Sequence, residues 1–219
     1  MEPNLKEVFH YLGAKEPMSE DFRHQVTAVS RRLFDSIQPR FLYKVFPLLH
    51  EDGQIQIPDA GITLTGQLSQ KMLATCDLAV LMACTLGTAF DAMLRTEQAR
   101  NMADAVILDA CGNALVEAGC DAAEEEIKAR FPARFLTDRF SPGYGDLGLH
   151  LQPVFCTALD TRRRLGIHVT SSYLLNPSKS VTALIGLSDK PQMARIRGCA
   201  YCSMRETCTL RKGGKCCAT

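Results

Sequence analysis

Apolar and polar positions along the chain follow two periods, and the switches between them outline the elements. From Ser19, which opens Ser-Glu-Asp, the residues Phe22, Val26, Val29, Leu33 and Ile37 recur at helical spacing until Pro39. This pattern predicts a helix that Ser19 caps and the proline stops. The stretches RFLYKVFPLLH and QIQIP are rich in β-formers and flank Glu51-Asp52-Gly53, a turn signal, so a pair of strands is expected there. ITLTGQL, residues 62–68, adds another alternating segment. Leu78 to Cys84 is continuously apolar and runs into Thr85-Leu86-Gly87-Thr88, as a buried strand does before a turn and a helix.

The longest signal is a proline-free stretch from Met102 to Arg130, in which Val106, Ala110, Ala114, Ala118 and Ala122 share one stripe. It predicts a helix about 40 Å long. Its middle is crowded with small residues, among them Cys111, Gly112, Gly119 and Cys120, which admit a close approach by another backbone or a ligand. Glu117 lies within that stretch, and Glu124-Glu125-Glu126 near its end reads as a solvated face. Residues 139–157 contain a Pro-Gly turn and several glycines and are expected to form an ordered loop, and Ser180 to Leu187 reads as a strand. His150 and His168 each resemble one position of an alternating strand with no second ligand at metal spacing, and so read as structural.

The sum of these elements is an α+β fold: helices, including one long central helix, packed on a mainly antiparallel sheet, with a cysteine-rich C-terminal tail. A body over residues 1–190 and a tail over 191–219 are the expected division. The 219 residues are 46% apolar and carry a formal charge of +1, enough for a sizeable core and too balanced to draw nucleic acid. No apolar run approaches a membrane span and the N-terminus lacks a signal-peptide pattern, so a cytoplasmic protein is expected.

Cysteine placement divides by position. Cys76, Cys84, Cys111, Cys120 and Cys156 sit in apolar surroundings and read as packed thiols. Cys199, Cys202, Cys208, Cys216 and Cys217 crowd the tail, and thiolates so close together suit zinc or an iron-sulfur cluster. A single C-x-x-C pair leaves the regular zinc-knuckle pattern incomplete, and a reduced, metal-free tail is the alternative.

Arg139-Phe140-Ser141-Pro142-Gly143-Tyr144 combines a fixed cation, a turn that exposes main-chain groups and an aromatic hydroxyl, which together suit a zwitterionic ligand. On these residues alone an ordinary Pro-Gly turn is the simpler reading. The hexapeptide, however, resembles the Arg-x-x-x-Gly-Tyr motif of the reactivation domain of cobalamin-dependent methionine synthase, in its stand-alone form. The resemblance runs from the long helix through Leu165-Gly166-Ile167 to Pro177-Ser178-Lys179-Ser180-Val181, roughly residues 75–188. An N-terminal Asp and a late aromatic pair of methionine synthase have no counterpart placed here.

That resemblance implies that Arg139, Gly143 and Tyr144 form the S-adenosylmethionine site, with the main chain of Ser141 and the carboxylate of Glu117. It also implies a reaction, the reductive methylation of an oxidised corrinoid. The cobalamin is expected on a partner, either a corrinoid-binding protein or methionine synthase, because no Asp-x-His-x-x-Gly signature occurs in this chain. The electron would come from a donor protein. No catalytic side chain is needed, since cobalt is the nucleophile. Two other classes remain open: a non-catalytic module that binds S-adenosylmethionine or a corrinoid protein, and a metal-centred electron-transfer protein acting through its tail.

Overall fold

The computed structural model describes residues 4–14, 17–192 and 206–207. Of the tail cysteines, Cys199, Cys202, Cys208, Cys216 and Cys217 all lie outside these residues. In chain order the elements are α1 (Leu5–Tyr11), α2 (Glu20–Ser36), β1 (Arg40–Pro47), β2 (Leu49–Glu51), β3 (Gln54–Ile57), β4 (Ile62–Leu64), α3 (Gln67–Leu73), β5 (Leu78–Thr85) and α4 (Gly87–Arg100). They continue with α5 (Met102–Arg130), β6 (Phe135–Leu136), α6 (Gln152–Leu159), α7 (Thr161–Leu165), β7 (His168–Val169), β8 (Leu175–Asn176) and β9 (Ser180–Ser188).

The central sheet has the order β1-β5-β9-β6 and every pairing in it is antiparallel. Side chains of β5 and β9 alternate between its faces, as strand geometry requires. Val80, Met82, Cys84, Ala183 and Ile185 pack under Leu33 of α2 and Leu108 and Leu115 of α5. Leu81, Ala83 and Leu184 meet Leu73, Phe155 and Ile55 on the opposite face. Both faces being covered explains why β5 is apolar throughout rather than alternating. The small sheet β2-β3-β4 and helices α3 and α6 contribute to the second core.

Ser19 caps α2 by accepting a hydrogen bond from the Phe22 amide, and the helix ends ahead of Pro39, as the pattern predicts. Helix α5 spans the expected residues, but its buried face matches the expected stripe only in part. Ala110 and Ala114 are buried as that stripe implies, but Val106 is exposed, and the buried face also takes in Leu108, Cys111, Leu115 and Cys120. Ala and Cys stripes carry too little contrast to fix a helix's rotation.

The small residues of α5 serve packing within the chain. A Cβ on Gly112 would stand 2.4 Å from the Phe90 ring, and one on Gly119 2.5 Å from Pro39 Cβ and 2.7 Å from Cys84 Sγ. The five cysteines of the body are free and buried, as expected. Hydrogen bonding to Cys84 and burial push the Cys120 thiol well above its ordinary range. Three local expectations fail. Only Ile62–Leu64 of the alternating segment 62–68 is strand, and Gln67 and Leu68 begin α3. Residues 152–157 are not loop but the start of α6, with Pro153 in the first turn, where a missing amide costs nothing. His150 lies in a single helical turn rather than a strand, while His168 is in β7 as expected.

Candidate functional site

The path of the chain after β6 fixes Arg139. Thr137 donates its amide to the Gly186 carbonyl at 3.0 Å, and its hydroxyl accepts from the Gly186 amide at 2.9 Å. Phe140 exchanges both main-chain hydrogen bonds with Leu184, at 3.0 and 2.8 Å. Arg139 is therefore held between two anchor points on β9. Phe140 enters the core that contains Leu184, which sends Arg139 toward α5 on the other face.

There the guanidinium meets three carboxylates of one helix face. Glu117, Asp121 and Glu124 are spaced four and then three residues apart, so they stack on one side of α5. Arg139 Nη2 donates to Glu117 at 2.5 Å, and Nη1 donates to Asp121 at 2.7 Å and to Glu124. The Arg139 side chain is only 10% exposed. Burial works against its charge, but the hydrogen bonds to Asp121 and Glu117 and the field of Glu124 more than offset this, and the guanidinium is held above its ordinary pKa. One cation faces three anions, which leaves the cluster with a net negative charge.

Helix α1 closes over this region. Val8 is fully buried, and Leu5, Phe9 and Leu12 pack beside it against the core that α5 shares. Glu7 and Tyr11, four residues apart, lie within the electrostatic reach of the cluster. Burial, then Asp121 and Glu117, raise the Glu7 carboxyl. Burial, then Glu117 and Glu7, push the Tyr11 phenol up to about 12.

Two open cavities meet at Tyr11, and the first reaches the cluster through Glu117. One, of about 330 Å³, is lined by Tyr11, Asn113, Glu117, Ser178, Lys179 and Ser180 among others. The second, of about 340 Å³, shares Tyr11 and Asn113 and is otherwise mostly apolar, with Leu94, Met102 and Val106. Lys179 extends along the boundary. Its ammonium is paired with Asp109 at 2.8 Å and donates to Asn113 Oδ1 at 2.7 Å.

Of the residues singled out in the sequence, Arg139 and Glu117 are brought into direct contact. Ser141 and Gly143 lie in the turn that follows. The Ser141 carbonyl accepts from the Tyr144 amide at 3.0 Å, and Gly143, at φ +94°, donates to Leu147 at 2.7 Å. Tyr144 packs against the second core, in a different environment from the Arg139 cluster. Glu124 is not the solvated residue its run of glutamates suggests. Its side chain is 16% exposed and bound to Arg139, whereas Glu125 pairs with Lys128 and Glu126 accepts from the Tyr43 hydroxyl. Asp121, Glu7 and Tyr11 escaped the sequence reading altogether. The acidic spacing on α5 was the available signal for Asp121. Among the described residues no group of three or more His, Cys, Asp or Glu side chains is placed to hold a metal ion. Among the described residues, too, no helix is long and apolar enough to cross a membrane.

No protein-family model matches the sequence, and no curated protein matches it. Among solved structures the chain is similar to a crystal structure of the MetH reactivation domain bound to AdoHcy, with a TM-score of 0.67 and 15% sequence identity. The match covers 97% of this chain and 83% of that one. Its α+β architecture, with the long α5 laid on an antiparallel sheet, is thus the fold of a reactivation domain.

Proposed function

We propose that the protein binds S-adenosylmethionine beside Arg139 and donates its methyl group to the reduced corrinoid of a partner, restoring a cobalamin-dependent methyltransferase. The observation that carries this reading is the pairing of the largely buried Arg139 with the half-buried Glu117, in a fold similar to that of a domain solved with AdoHcy bound. A guanidinium fork matches the ligand's carboxylate, and a neighbouring carboxylate suits its cationic groups, the ammonium and the sulfonium. Binding at Arg139 is then an exchange of partners, in which the ligand carboxylate replaces one of three protein carboxylates. Ser141 and Gly143 would border the ligand from the turn, whereas Tyr144 packs against the second core, apart from the Arg139 cluster.

The reaction asks little acid–base chemistry of the protein. An electron from a donor protein first reduces the partner's cobalt. The cobalt electron pair then forms the new bond to the methyl carbon, and the S–CH3 pair returns to sulfur, giving neutral S-adenosylhomocysteine. Alignment and water exclusion are what the polypeptide supplies. We also propose that residues 191–219 form a separate unit in which Cys199, Cys202, Cys208, Cys216 and Cys217 bind an iron-sulfur cluster or zinc. Metal analysis of anaerobically purified protein, before and after removal of residues 198–219, tests that assignment.

Calorimetric titration with S-adenosylmethionine tests the main reading. Wild type should bind saturably, and Arg139→Ala should weaken binding by about 2 to 4 kcal/mol, the worth of a buried charge-assisted contact. Arg139→Lys, which keeps the charge and loses the fork, should fall between. Unchanged affinity in folded Arg139→Ala would refute the site. In the wild type, formation of methylcobalamin from cob(II)alamin, reductant and ligand would separate methyl donation from binding alone.

A further inference from the structure

Tyr11 lines both cavities. It ends α1, and the residue is 41% exposed. In the cavity of about 330 Å³ it shares the wall with Glu117. The same electrostatic neighbourhood contains Glu7 and Asp121, and Arg139 answers only part of the negative charge gathered there. Lys179 lines this cavity too, but Asp109 pairs with it and Asn113 Oδ1 accepts one of its hydrogen bonds, so it offers no uncompensated cation. Burial, then Glu117 and Glu7, push the phenol up to about 12, so the ring is a neutral phenol in the physiological range, as an ordinary tyrosine is, and its face carries the negative end of the aromatic quadrupole.

We propose that Tyr11 and Glu117 form a selectivity site for an onium group, and that Tyr11 is the residue by which the protein prefers S-adenosylmethionine to S-adenosylhomocysteine. The inference rests on the function proposed above and adds to it a residue and a basis for discrimination. The two ligands share adenosine and the amino-acid end. They differ by one methyl and by the charge on sulfur, a sulfonium cation in one and a neutral thioether in the other. A sulfonium between an aromatic ring and a carboxylate gains from the ring quadrupole and from the anion, and a thioether gains little from either. Once the methyl has left, the positive charge is gone, and the contribution of the ring and the carboxylate to holding the product goes with it.

The test compares dissociation constants for the two ligands in wild type, Tyr11→Phe and Tyr11→Leu. Wild type should prefer S-adenosylmethionine by about tenfold or more. Tyr11→Phe keeps the ring and should keep the preference, whereas Tyr11→Leu should cut it by about three- to tenfold, with S-adenosylhomocysteine affinity little changed. Thermal unfolding confirms that the variants fold, and Tyr11 is exposed enough for Leu to be accommodated. Equal affinities in wild type, or a preference that survives Tyr11→Leu, would overturn the inference while leaving the binding reading intact. Failure of wild type to bind either ligand would overturn both.

Discussion

Replacing Arg139 by methionine keeps much of the side-chain bulk and removes the cation that pairs with Glu117, Asp121 and Glu124. The three carboxylates do not count alike. Glu124, 16% exposed, is desolvated with the arginine; Glu117 at 34% is intermediate; Asp121 at 65% is close to a surface partner. Breaking a buried pair costs about 3 to 5 kcal/mol, and an exposed one contributes about 0 to 1. Weighting the cluster toward Glu124 and discounting Asp121 for solvent screening gives a loss of about 3 kcal/mol for Arg139→Met. Urea unfolding of wild type and variant measures it, provided the slope is unchanged. Adding Glu124→Gln to Arg139→Met should recover part of the loss, because it removes the carboxylate with least access to water. The cycle should return a coupling of about 1 to 3 kcal/mol. A single-variant loss below about 0.5 kcal/mol, in the range of neutral surface changes, or no coupling within error, would refute the view that the cluster is held by its buried charge.

Gly119→Ala should cost about 1 to 3 kcal/mol despite the gain in helix propensity, since the new methyl would overlap Pro39, whose ring cannot rotate away, and Cys84; the urea midpoint reads the change. Glu7→Gln tests the local electrostatics. The Glu7 carboxyl is raised by burial and by Asp121 and Glu117, so in the folded state it holds its proton to a higher pH than in the unfolded chain. Its contribution is therefore fully present below the unfolded pKa and is lost as pH rises through the folded one. The variant should melt at a higher temperature than wild type at neutral pH, and the difference should vanish on acidification below the ordinary glutamate range. A difference that persists in acid would have another origin.

The elements that hold the core were legible because their patterns are strong. Helix α2 has a cap, a period and a proline stop, and β5 and β9 are apolar runs bounded by turns. Helix α6 was hidden because Pro153 and the glycines before it carry the signature of a loop, although a proline in the first turn is compatible with a helix. The rotation of α5 escaped for want of contrast among Ala, Cys and Gly. At the site, Arg139 belongs to a motif and Glu117 follows from the family resemblance, but their contact joins residues 22 positions apart and depends on β9. Charge runs are ordinarily solvated, and nothing local distinguishes Glu124 from Glu125; only the approach of Arg139 does so. Tyr11 and Glu7 lie still farther away in sequence, and their relevance arises when α1 packs on α5.

The anchoring of Arg139 between Thr137 and Phe140 bears on the thermodynamics of anything that binds there. A surface arginine loses roughly 1.5 to 2 kcal/mol of side-chain freedom when a ligand immobilises it. Here the backbone is tied to β9 on both sides and the guanidinium is already fixed by three carboxylates, so that entropy is surrendered during folding. A carboxylate arriving at the guanidinium trades one ionic contact for another with little further ordering of the arginine. Association at this position is then governed by the enthalpy of exchange and by the water that the displaced side chain regains.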